Sequence, residues 1–387
     1  MFGQSVPLDT VLRMYLEIPN ALNDIMSYVD SLKTDPGVKE NFVQYKLWEK
    51  KCEKFSKDDI VLPLNIYYDE CQCNNPLGSC AKKLGCVYCQ IACLPPECQS
   101  VVQSIFLALV FEASLRSFSD NRAFAPLISI LNKLEKDGIV VNNRDGPKKV
   151  YFVCGLLLGD NLGLNSLGGL TECFTACFYC RFCKLHKNVC AVQSVEDETS
   201  LRTKDNYNAD LTTENVTLTG VKMDCCLHEV PSFHITSNYC VDVFHDLCED
   251  VCHYVMMHVL RHCIPQFFLL DLLNHRIEML QYGLCDSNRI PVLSDEFAKR
   301  DKLKMSGSET LLFVRLFGVL VGDKVPHDDD FWLLYVKLRE LLDICLCKSL
   351  SIRQGAYIRV LEEFNSLYIK ITNDSLKPKM HFFGSLM

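Results

Sequence analysis

The sequence predicts a mixed α/β fold with helical segments at both ends of the chain. Short, almost continuous apolar runs at 61–68, 84–93 and 150–158 are typical of buried strands. Near both ends, apolar residues recur at three- and four-residue steps, which indicates amphipathic helices. Hydrophobic residues make up 49% and charged residues 23% of the 387 residues. This composition supports a large core and excludes a wholly disordered chain.

Net charge and cysteine content limit the classes of function. The chain carries 40 lysines and arginines against 48 aspartates and glutamates, so its net charge of −8 excludes a strongly basic, histone-like protein. The N-terminus has no basic region ahead of an apolar one, so we expect the 23 cysteines to be reduced thiols of an intracellular protein. A secreted disulfide protein is the alternative. No apolar run approaches the roughly 20 residues of a membrane span, and we expect no membrane partner.

The first third of the chain alternates helical and extended patterns. Residues 1–57 have the spacing of amphipathic helices. A strand is predicted at 61–68, where it ends at Asp69, and a turn rich in Asn, Pro and Gly follows at 74–79. A second strand is predicted from the apolar run at 84–93, and the two prolines that follow mark its end.

Two helices and a strand pair are predicted next. Apolar residues at helical spacing predict one helix at 97–118 and another at 125–134. A turn at 142–147 then connects two extended runs. The second run, 150–158, is apolar enough for a strand buried on both faces, and it ends at Gly and Asp160.

The remaining chain is rich in Cys and His from 161 to about 303 and helical beyond it. Ser306 opens a helix with the capping-box pattern, Asp330 is the predicted cap of the next, and a third helix is predicted at about 355–370.

We therefore divide the chain into four segments. Residues 1–57 form a helical N-terminal segment, and residues 58–165 form the first part of an α/β core. Residues 166–303 form a Cys/His-rich, largely helical insertion that contains a candidate zinc site. Residues 304–387 form a helical C-terminal part.

Two aspartates are the candidates for catalysis. Asp69 follows the strand at 61–68, and Asp160 follows the strand at 150–158. Carboxylates at the ends of adjacent strands can converge on Mg²⁺ or Mn²⁺, and two such ions about 4 Å apart stabilise both the attacking and the leaving oxygen of phosphodiester displacement. The alternative is that each aspartate only ends a strand in a turn. Glu70 is a weaker candidate, because adjacent residues of a strand point to opposite faces.

A second candidate site begins with Cys180 and Cys183. Their Cys-x-x-Cys spacing suits a structural, tetrahedral Zn²⁺ ion, to which two thiolates on one turn bind at about 2.3 Å. His186 lies close in sequence as a third ligand. A distant pair must close the site, and the sequence leaves its members open. The candidates are Cys225, Cys226, His228, His234 and His245, of which we take Cys225, His234 and His245 as the leading ones.

Two acidic stretches have a simpler explanation than metal binding. Asp242 is placed to cap a helix. His245, three residues later, either binds metal or packs against the core. Three consecutive aspartates at 328–330 precede a helical pattern, and acidic residues favour helix starts.

Taken together and in this order, the motifs resemble those of a known family. They are Tyr-Tyr-Asp at 67–69, Asn-Asn-Pro-Leu-Gly-Ser at 74–79, Gly-Asp-Asn-Leu-Gly-Leu-Asn at 159–165, Cys-Arg-Phe-Cys at 180–183, Asp-Val-Phe-His-Asp at 242–246, Lys-Met-Ser at 304–306 and Lys-Pro-Lys-Met-His-Phe at 377–382. The set resembles a transposase-like family of animal mobile elements that is related to the CACTA (En/Spm-type) transposases.

The resemblance implies a ribonuclease-H-like core with an Asp-Asp-Glu metal triad. It implies that Asp69 and Asp160 are the first two carboxylates, that two Mg²⁺ or Mn²⁺ ions are the cofactors and that DNA is the partner. In such an enzyme water cleaves DNA at the end of the element, and the freed 3′-hydroxyl attacks target DNA. Cys180, Cys183 and His245 would belong to a zinc-bearing insertion.

The chain also departs from the family pattern. The family's glutamate lies beyond the landmark at 377–382, and here the sequence ends at Met387 without it. We therefore expect a truncated, degenerate copy, nuclear and self-associating, with weak or lost DNA binding and no nuclease step. The alternative, from another class, is a zinc-stabilised intracellular scaffold for protein interactions without a nucleic-acid role.

Overall fold

The computed structural model describes residues 3–34, 38–72, 83–144, 146–283, 287–347 and 354–384. The chain forms two compact units, of which the first comprises residues 1–181 and 202–240 and the second residues 182–201 and 241–387. The predicted mixed α/β class is confirmed. The turn predicted at 74–79 lies outside the described residues.

A six-stranded mixed sheet organises the first unit. Its strands are β1 (Gly3–Ser5), β2 (Ile60–Gln72), β3 (Lys83–Ile91), β4 (Phe106–Glu112), β5 (Ile139–Asn143) and β6 (Gly146–Leu158). They lie in the order β1-β4-β3-β2-β6-β5. The pairing is antiparallel throughout, except that β2 and β6 are parallel. The chain therefore returns from the β4 side of the sheet to place β6 directly beside β2.

Fifteen α-helices occur in the described residues. In chain order they are α1 (Leu8–Leu16), α2 (Ala21–Ser31), α3 (Lys46–Cys52), α4 (Pro96–Gln99), α5 (Asp120–Lys136), α6 (Asn161–Leu167), α7 (Lys187–Cys190), α8 (Lys204–Thr212), α9 (Val216–Thr219), α10 (Cys252–Gln266), α11 (Leu270–Glu278), α12 (Gly307–Val321), α13 (Asp330–Cys345), α14 (Gln354–Thr372) and α15 (Pro378–Phe383). A π-helix, Phe244–Val251, precedes α10. Among these described residues no helix has the length and apolarity that a membrane crossing requires.

Helix α5 packs its apolar side on the sheet. Its buried residues include Phe124, Leu127 and Leu131, at helical spacing. The Phe124 ring meets Tyr68 of β2 and Phe111 of β4 edge to face, with ring centroids 5.7 and 5.2 Å apart. Full burial of a side chain of this size stabilises the fold by roughly 1.5–3 kcal/mol. This packing fixes the strand that carries Asp69.

The prediction of a helix at 97–118 is wrong. The segment contains the single-turn α4 and then the strand β4, with a 3₁₀ turn on each side of the strand. The residues of β4 form a continuous apolar run, and such a run fits a helix and a buried strand equally well. Because β4 lies between β1 and β3 in the sheet, tertiary pairing selects the strand.

Strand β2 extends farther than predicted. It continues through Asp69 to Gln72, and Asp69 pairs with Cys86 of β3. Asp69 therefore lies within a paired strand and does not end one. The strands predicted at 84–93 and 150–158 are confirmed as β3 and β6, and β5 pairs with β6 across the predicted turn.

The described part of the second unit is helical and has its own core. Side chains at the centre of that core come from α10, α12, α13 and α14, and include Met256, Phe313, Phe317, Leu338 and Phe364. The helix predicted at 355–370 is confirmed as α14.

The predicted capping box of α12 is confirmed, and the predicted cap of α13 is wrong. The Ser306 hydroxyl accepts the Glu309 N–H at 3.3 Å, and the Glu309 carboxylate accepts the Ser306 N–H at 2.7 Å. In α13 the cap is Asp329, whose Oδ1 accepts two N–H groups of the first turn at 3.0 Å. Asp330 is the first helical residue instead. Adjacent aspartates made the two positions indistinguishable in sequence.

Candidate functional site

The strand register places Asp69 and Asp160 at the same level of two neighbouring strands. Tyr67 of β2 pairs with Leu158 of β6, and each aspartate follows its member of this pair by two residues. Asp160 lies just beyond β6 and is the N-cap of α6. Because β2 and β6 are parallel, their C-terminal ends lie at the same edge of the sheet, where sites of α/β proteins are usually found.

Both aspartates are exposed and line one cavity of about 220 Å³. The whole cavity lies within the first unit. Its lining is strongly polar and contains four carboxylates and two basic side chains. The lining residues are Tyr68, Asp69, Glu70, Lys83, Arg116, Asp160, Leu162, Gly163, Ser166 and Glu172.

The other two carboxylates of the cavity already have cationic partners. Glu70 accepts the Tyr68 hydroxyl at 2.9 Å and lies 3.4 Å from the Lys83 ammonium. Tyr68 and Glu70 thus share the strand face opposite Asp69, as the alternation predicts, although Glu70 still borders the cavity. Glu172 pairs with Lys222 at 3.1 Å. Neither glutamate is therefore an uncompensated negative charge.

The basic side chain at the base of the cavity is also neutralised. Arg116 donates to both carboxylate oxygens of Asp120, at 2.8 and 3.0 Å, and to the Ser166 hydroxyl at 2.9 Å. A bidentate guanidinium–carboxylate pair of this kind is held rigidly. Arg116 therefore positions the α5 and α6 segments and does not cancel the charges of Asp69 and Asp160.

Asp69 and Asp160 form no ion pair with any residue that the structure describes. Oδ1 of Asp69 accepts the Glu70 N–H at 2.8 Å, and Oδ1 of Asp160 accepts the Gly163 N–H at 2.6 Å. A Cβ at Gly163 would lie 3.0 Å from that same Asp160 oxygen, so a glycine lets the backbone approach the carboxylate. The Oδ2 atoms accept no hydrogen bond from described residues. Two such oxygens are suited to a hard divalent cation.

A larger cavity of about 560 Å³ has no comparable chemistry. It borders Lys54 and Glu135 of the first unit. The Glu135 carboxylate is buried, forms an ion pair with Lys54 and accepts the Ser232 hydroxyl at 2.5 Å. Because its buried charge is satisfied internally, we do not take this cavity as the functional site.

A second group of potential metal ligands includes Cys183 and His381 of the second unit. Cys183 Sγ lies 3.2 Å from His381 Nε2, although 198 positions separate the two residues. Cys180 precedes Cys183 on the same turn of the chain, and the ligand atoms of all three lie within 4.8 Å of one another. Two thiolates and one imidazole are ligands that Zn²⁺ prefers. Within the described ranges this is the one group of three such residues.

Packing on both sides holds Cys183 and His381 in place. Cys183 forms an antiparallel β-bridge with Leu201. His381 lies on α15, which begins with a proline in its first turn. The next residue, Phe382, meets the ring of Phe182 edge to face, with centroids 5.7 Å apart. The contact between these two rings therefore brings Cys183, which follows Phe182, close to His381, which precedes Phe382.

His381 is a residue that the sequence did not identify as a ligand. His381 belongs to the motif at 377–382 that carries part of the family resemblance, but the resemblance does not identify this histidine as a metal ligand. No local spacing connects it with the Cys-x-x-Cys motif, because the connection is purely tertiary.

The remaining predicted zinc ligands lie elsewhere. His186 caps α7 through its ring nitrogen, and His245 Nδ1 lies 2.5 Å from the Asp242 carboxylate. Cys225 and His234 belong to the first unit, where Cys225 is buried in the core. In the described part of the chain none of these four belongs to a group of three ligand residues.

His234 instead forms a stacked pair with His228. The ring centroids are 4.1 Å apart and the planes differ by 8°. Burial, together with the neighbouring His228, lowers the pKa of His234 from 6.5 to about 4. Since the folded-state pKa is below the unfolded value, this histidine stabilises the native state above pH 6.5, and that contribution decreases as pH falls toward 4.

We therefore expect His234→Gln to flatten the dependence of stability on pH. Between pH 6.5 and 4 the wild-type free energy of unfolding should fall more steeply than that of the variant, by up to about 1.4 kcal/mol per pH unit. Urea unfolding at half-unit pH steps measures both curves. His275→Gln, which changes an exposed histidine of α11, is the control and should run parallel to wild type. Parallel curves for His234→Gln would contradict the assignment.

Comparisons with known proteins add no assignment to this geometry. No protein-family model matches the chain, and no curated protein matches it in sequence. The functional conclusion therefore rests on the two sites themselves.

Proposed function

We propose that the protein is a transposase-derived, ribonuclease-H-like core that binds divalent cations through Asp69 and Asp160 and contacts DNA weakly. One observation carries the proposal: the two carboxylates line one cavity, and neither is paired with a cation in the described residues. The ancestral reactions are DNA strand cleavage and strand transfer. We expect both to be weak or lost in this chain.

The order of elements in the first unit supports the ribonuclease-H-like assignment. Strands β2, β3 and β4 are consecutive antiparallel neighbours, α5 follows and packs on them, and β6 then returns parallel to β2. The family resemblance implies the first carboxylate on the first of these strands and the second after the returning strand. Asp69 and Asp160 occupy those two places.

The chemistry of the cavity follows from its charges. A divalent cation such as Mg²⁺ or Mn²⁺, when bound, would supply Lewis-acid chemistry toward a phosphodiester and water. Asp69 and Asp160 would hold the cation through their Oδ2 atoms, while the N–H groups on their Oδ1 atoms fix the orientation of each carboxylate. Lys83 at the cavity edge is 59% exposed and can contact a phosphate oxygen.

Catalysis in the resembled family uses a third carboxylate. In this cavity the two remaining carboxylates, Glu70 and Glu172, are both paired with lysine. Two carboxylates can hold a divalent cation together with water and phosphate oxygens. We therefore expect cation binding to persist while the rate of strand cleavage is very low.

Mn²⁺ titration followed by electron paramagnetic resonance tests the proposal. We expect Asp69→Asn and Asp160→Asn each to weaken Mn²⁺ binding by about tenfold or more, because each removes one charged ligand. Asp328→Asn, which changes an exposed aspartate of the second unit, should bind Mn²⁺ like wild type. Equal Mn²⁺ affinity in all four proteins would refute a cation site in the cavity.

The Cys180, Cys183 and His381 group favours a second candidate function, a zinc-stabilised scaffold for protein interactions. The two candidates share a structural Zn²⁺ ion and differ in the role of DNA. A gel shift with duplex DNA at increasing salt separates them. Binding that weakens steeply with salt indicates phosphate contacts and favours the transposase-derived core. No binding at low salt, together with unchanged Mn²⁺ affinity in the aspartate variants, favours the scaffold.

A further inference from the structure

Two thiols lie side by side on the hairpin that carries Asp69. Cys71 Sγ and Cys86 Sγ are 3.7 Å apart. Cys86 is the residue of β3 directly opposite Asp69, and Cys71 follows Asp69 by two residues on β2. All three side chains therefore project from the same face of the sheet, and the thiols are diagonal neighbours across the strand pair.

The two thiols differ in access. Cys71 is exposed and Cys86 is buried. Among the described cysteines, Cys173 is the other exposed one. The other described cysteines are buried or partly buried, and burial raises the pKa of Cys154 and of Cys345 to about 12. The exposed Cys71 is therefore the thiol of this pair that a soluble oxidant reaches first.

We propose that Cys71 and Cys86 are a modification site, at which hydrogen peroxide converts the two thiols into a disulfide that joins β2 to β3 beside Asp69. The site does not depend on the proposed function. The two sulfur atoms are 3.7 Å apart, and a disulfide needs about 2.0 Å. Because the two residues are diagonal neighbours, bond formation requires a local shift of the two strands as well as side-chain rotation.

The reaction balances with peroxide as the only oxidant. The Cys71 thiolate attacks one peroxide oxygen and the O–O bond breaks, which gives a sulfenic acid and a hydroxide ion. The hydroxide takes up the proton lost from Cys71 and becomes water. The Cys86 thiol then attacks the sulfenic sulfur, the S–O bond breaks, and a second water leaves with the Cys86 proton. Two thiols are oxidised by two electrons, and one peroxide is reduced to two waters.

Mass spectrometry of the full-length chain tests the site. Native protein is treated with peroxide, remaining thiols are alkylated under denaturing conditions, and the chain is digested with trypsin. Cys71 lies in the fragment 58–82 and Cys86 in the fragment 84–116. We expect these two fragments to be linked, with a mass about 2 Da below the sum of the two fragments alkylated at every cysteine except Cys71 and Cys86. Reduction with dithiothreitol should separate them.

Matched variants assign the link to the two residues. Cys71→Ser should lose it, and Cys173→Ser, which removes the other exposed thiol, should retain it. Cys86→Ser should also lose the link. If this substitution of a buried residue prevents folding, Cys71→Ser alone shows whether Cys71 forms the link. Absence of the linked fragments in oxidised wild type, or their persistence in Cys71→Ser, would overturn the proposal.

Discussion

Replacing His381 by alanine should abolish zinc binding by the purified protein. The imidazole nitrogen lies 3.2 Å from Cys183 Sγ, so the two can share one ion, with Cys180 as a further ligand. Without His381 only two of the three described ligands remain, both on the Cys-x-x-Cys turn, and two thiolates alone hold Zn²⁺ weakly. We expect the zinc content to fall from about one ion per chain to less than about a tenth of that value.

Metal analysis by inductively coupled plasma mass spectrometry measures this content in full-length protein after dialysis against a weak chelator. His245→Ala is the matched control, because His245 is a histidine of the same unit whose Nδ1 contacts Asp242. Its zinc content should equal that of wild type. Cobalt substitution adds a spectroscopic readout, since thiolate-to-cobalt absorption should disappear in Cys183→Ser. Equal zinc in wild type and His381→Ala would exclude His381 as a ligand.

Replacing Gly169 by alanine should cost about 3 kcal/mol or more of the free energy of unfolding, or prevent folding. Gly169 has a φ of +65°, which is unfavourable for any residue with a Cβ. A Cβ there would also lie 1.9 Å from the Met223 carbonyl oxygen. The neighbouring backbone cannot move away easily, because the Gly169 carbonyl accepts the N–H groups of Lys222 and Met223 at 2.7 and 3.1 Å.

Urea unfolding followed by circular dichroism measures this loss. Gly146→Ala is the matched control, since Gly146 also has a positive φ, +104°, but no heavy atom of the described residues lies within 4 Å of the Cβ position. That variant reports the cost of a positive φ without a clash, about 1–3 kcal/mol. The difference between the two variants isolates the steric clash. A Gly169→Ala protein as stable as Gly146→Ala would show that the backbone around Met223 yields without cost.

The parts of the fold that the sequence predicts correctly depend on local signals. The apolar runs of β3 and β6 and the capping box at Ser306 are contained within a few consecutive residues. A helix is predicted where β4 forms, because a continuous apolar run contains apolar residues at helical spacing as well as at the spacing of a strand. Only the position of β4 between β1 and β3 decides its conformation.

The two candidate sites differ in the same respect. Asp69 and Asp160 could be singled out because each follows an apolar run, and the structure brings both to one cavity. His381, the partner of Cys183, could not be singled out in the same way, because tertiary packing brings it to Cys183 and no sequence spacing connects the two residues. Sequence also does not predict that Glu70 is paired with a cation while Asp69 is not, since this depends on where Lys83 lies in the fold.

The parallel pairing of β2 with β6 determines when the acidic cavity can exist during synthesis of the chain. The strand partners Ile60 and Val150 are separated by an antiparallel hairpin, a third strand and the helix α5. Closing so long a segment is entropically costly and is compensated only when the intervening elements have packed. A nascent chain that has emerged as far as β4 already carries Asp69 but cannot yet place it beside Asp160. Cation affinity at the proposed site would therefore report completed assembly of the first unit.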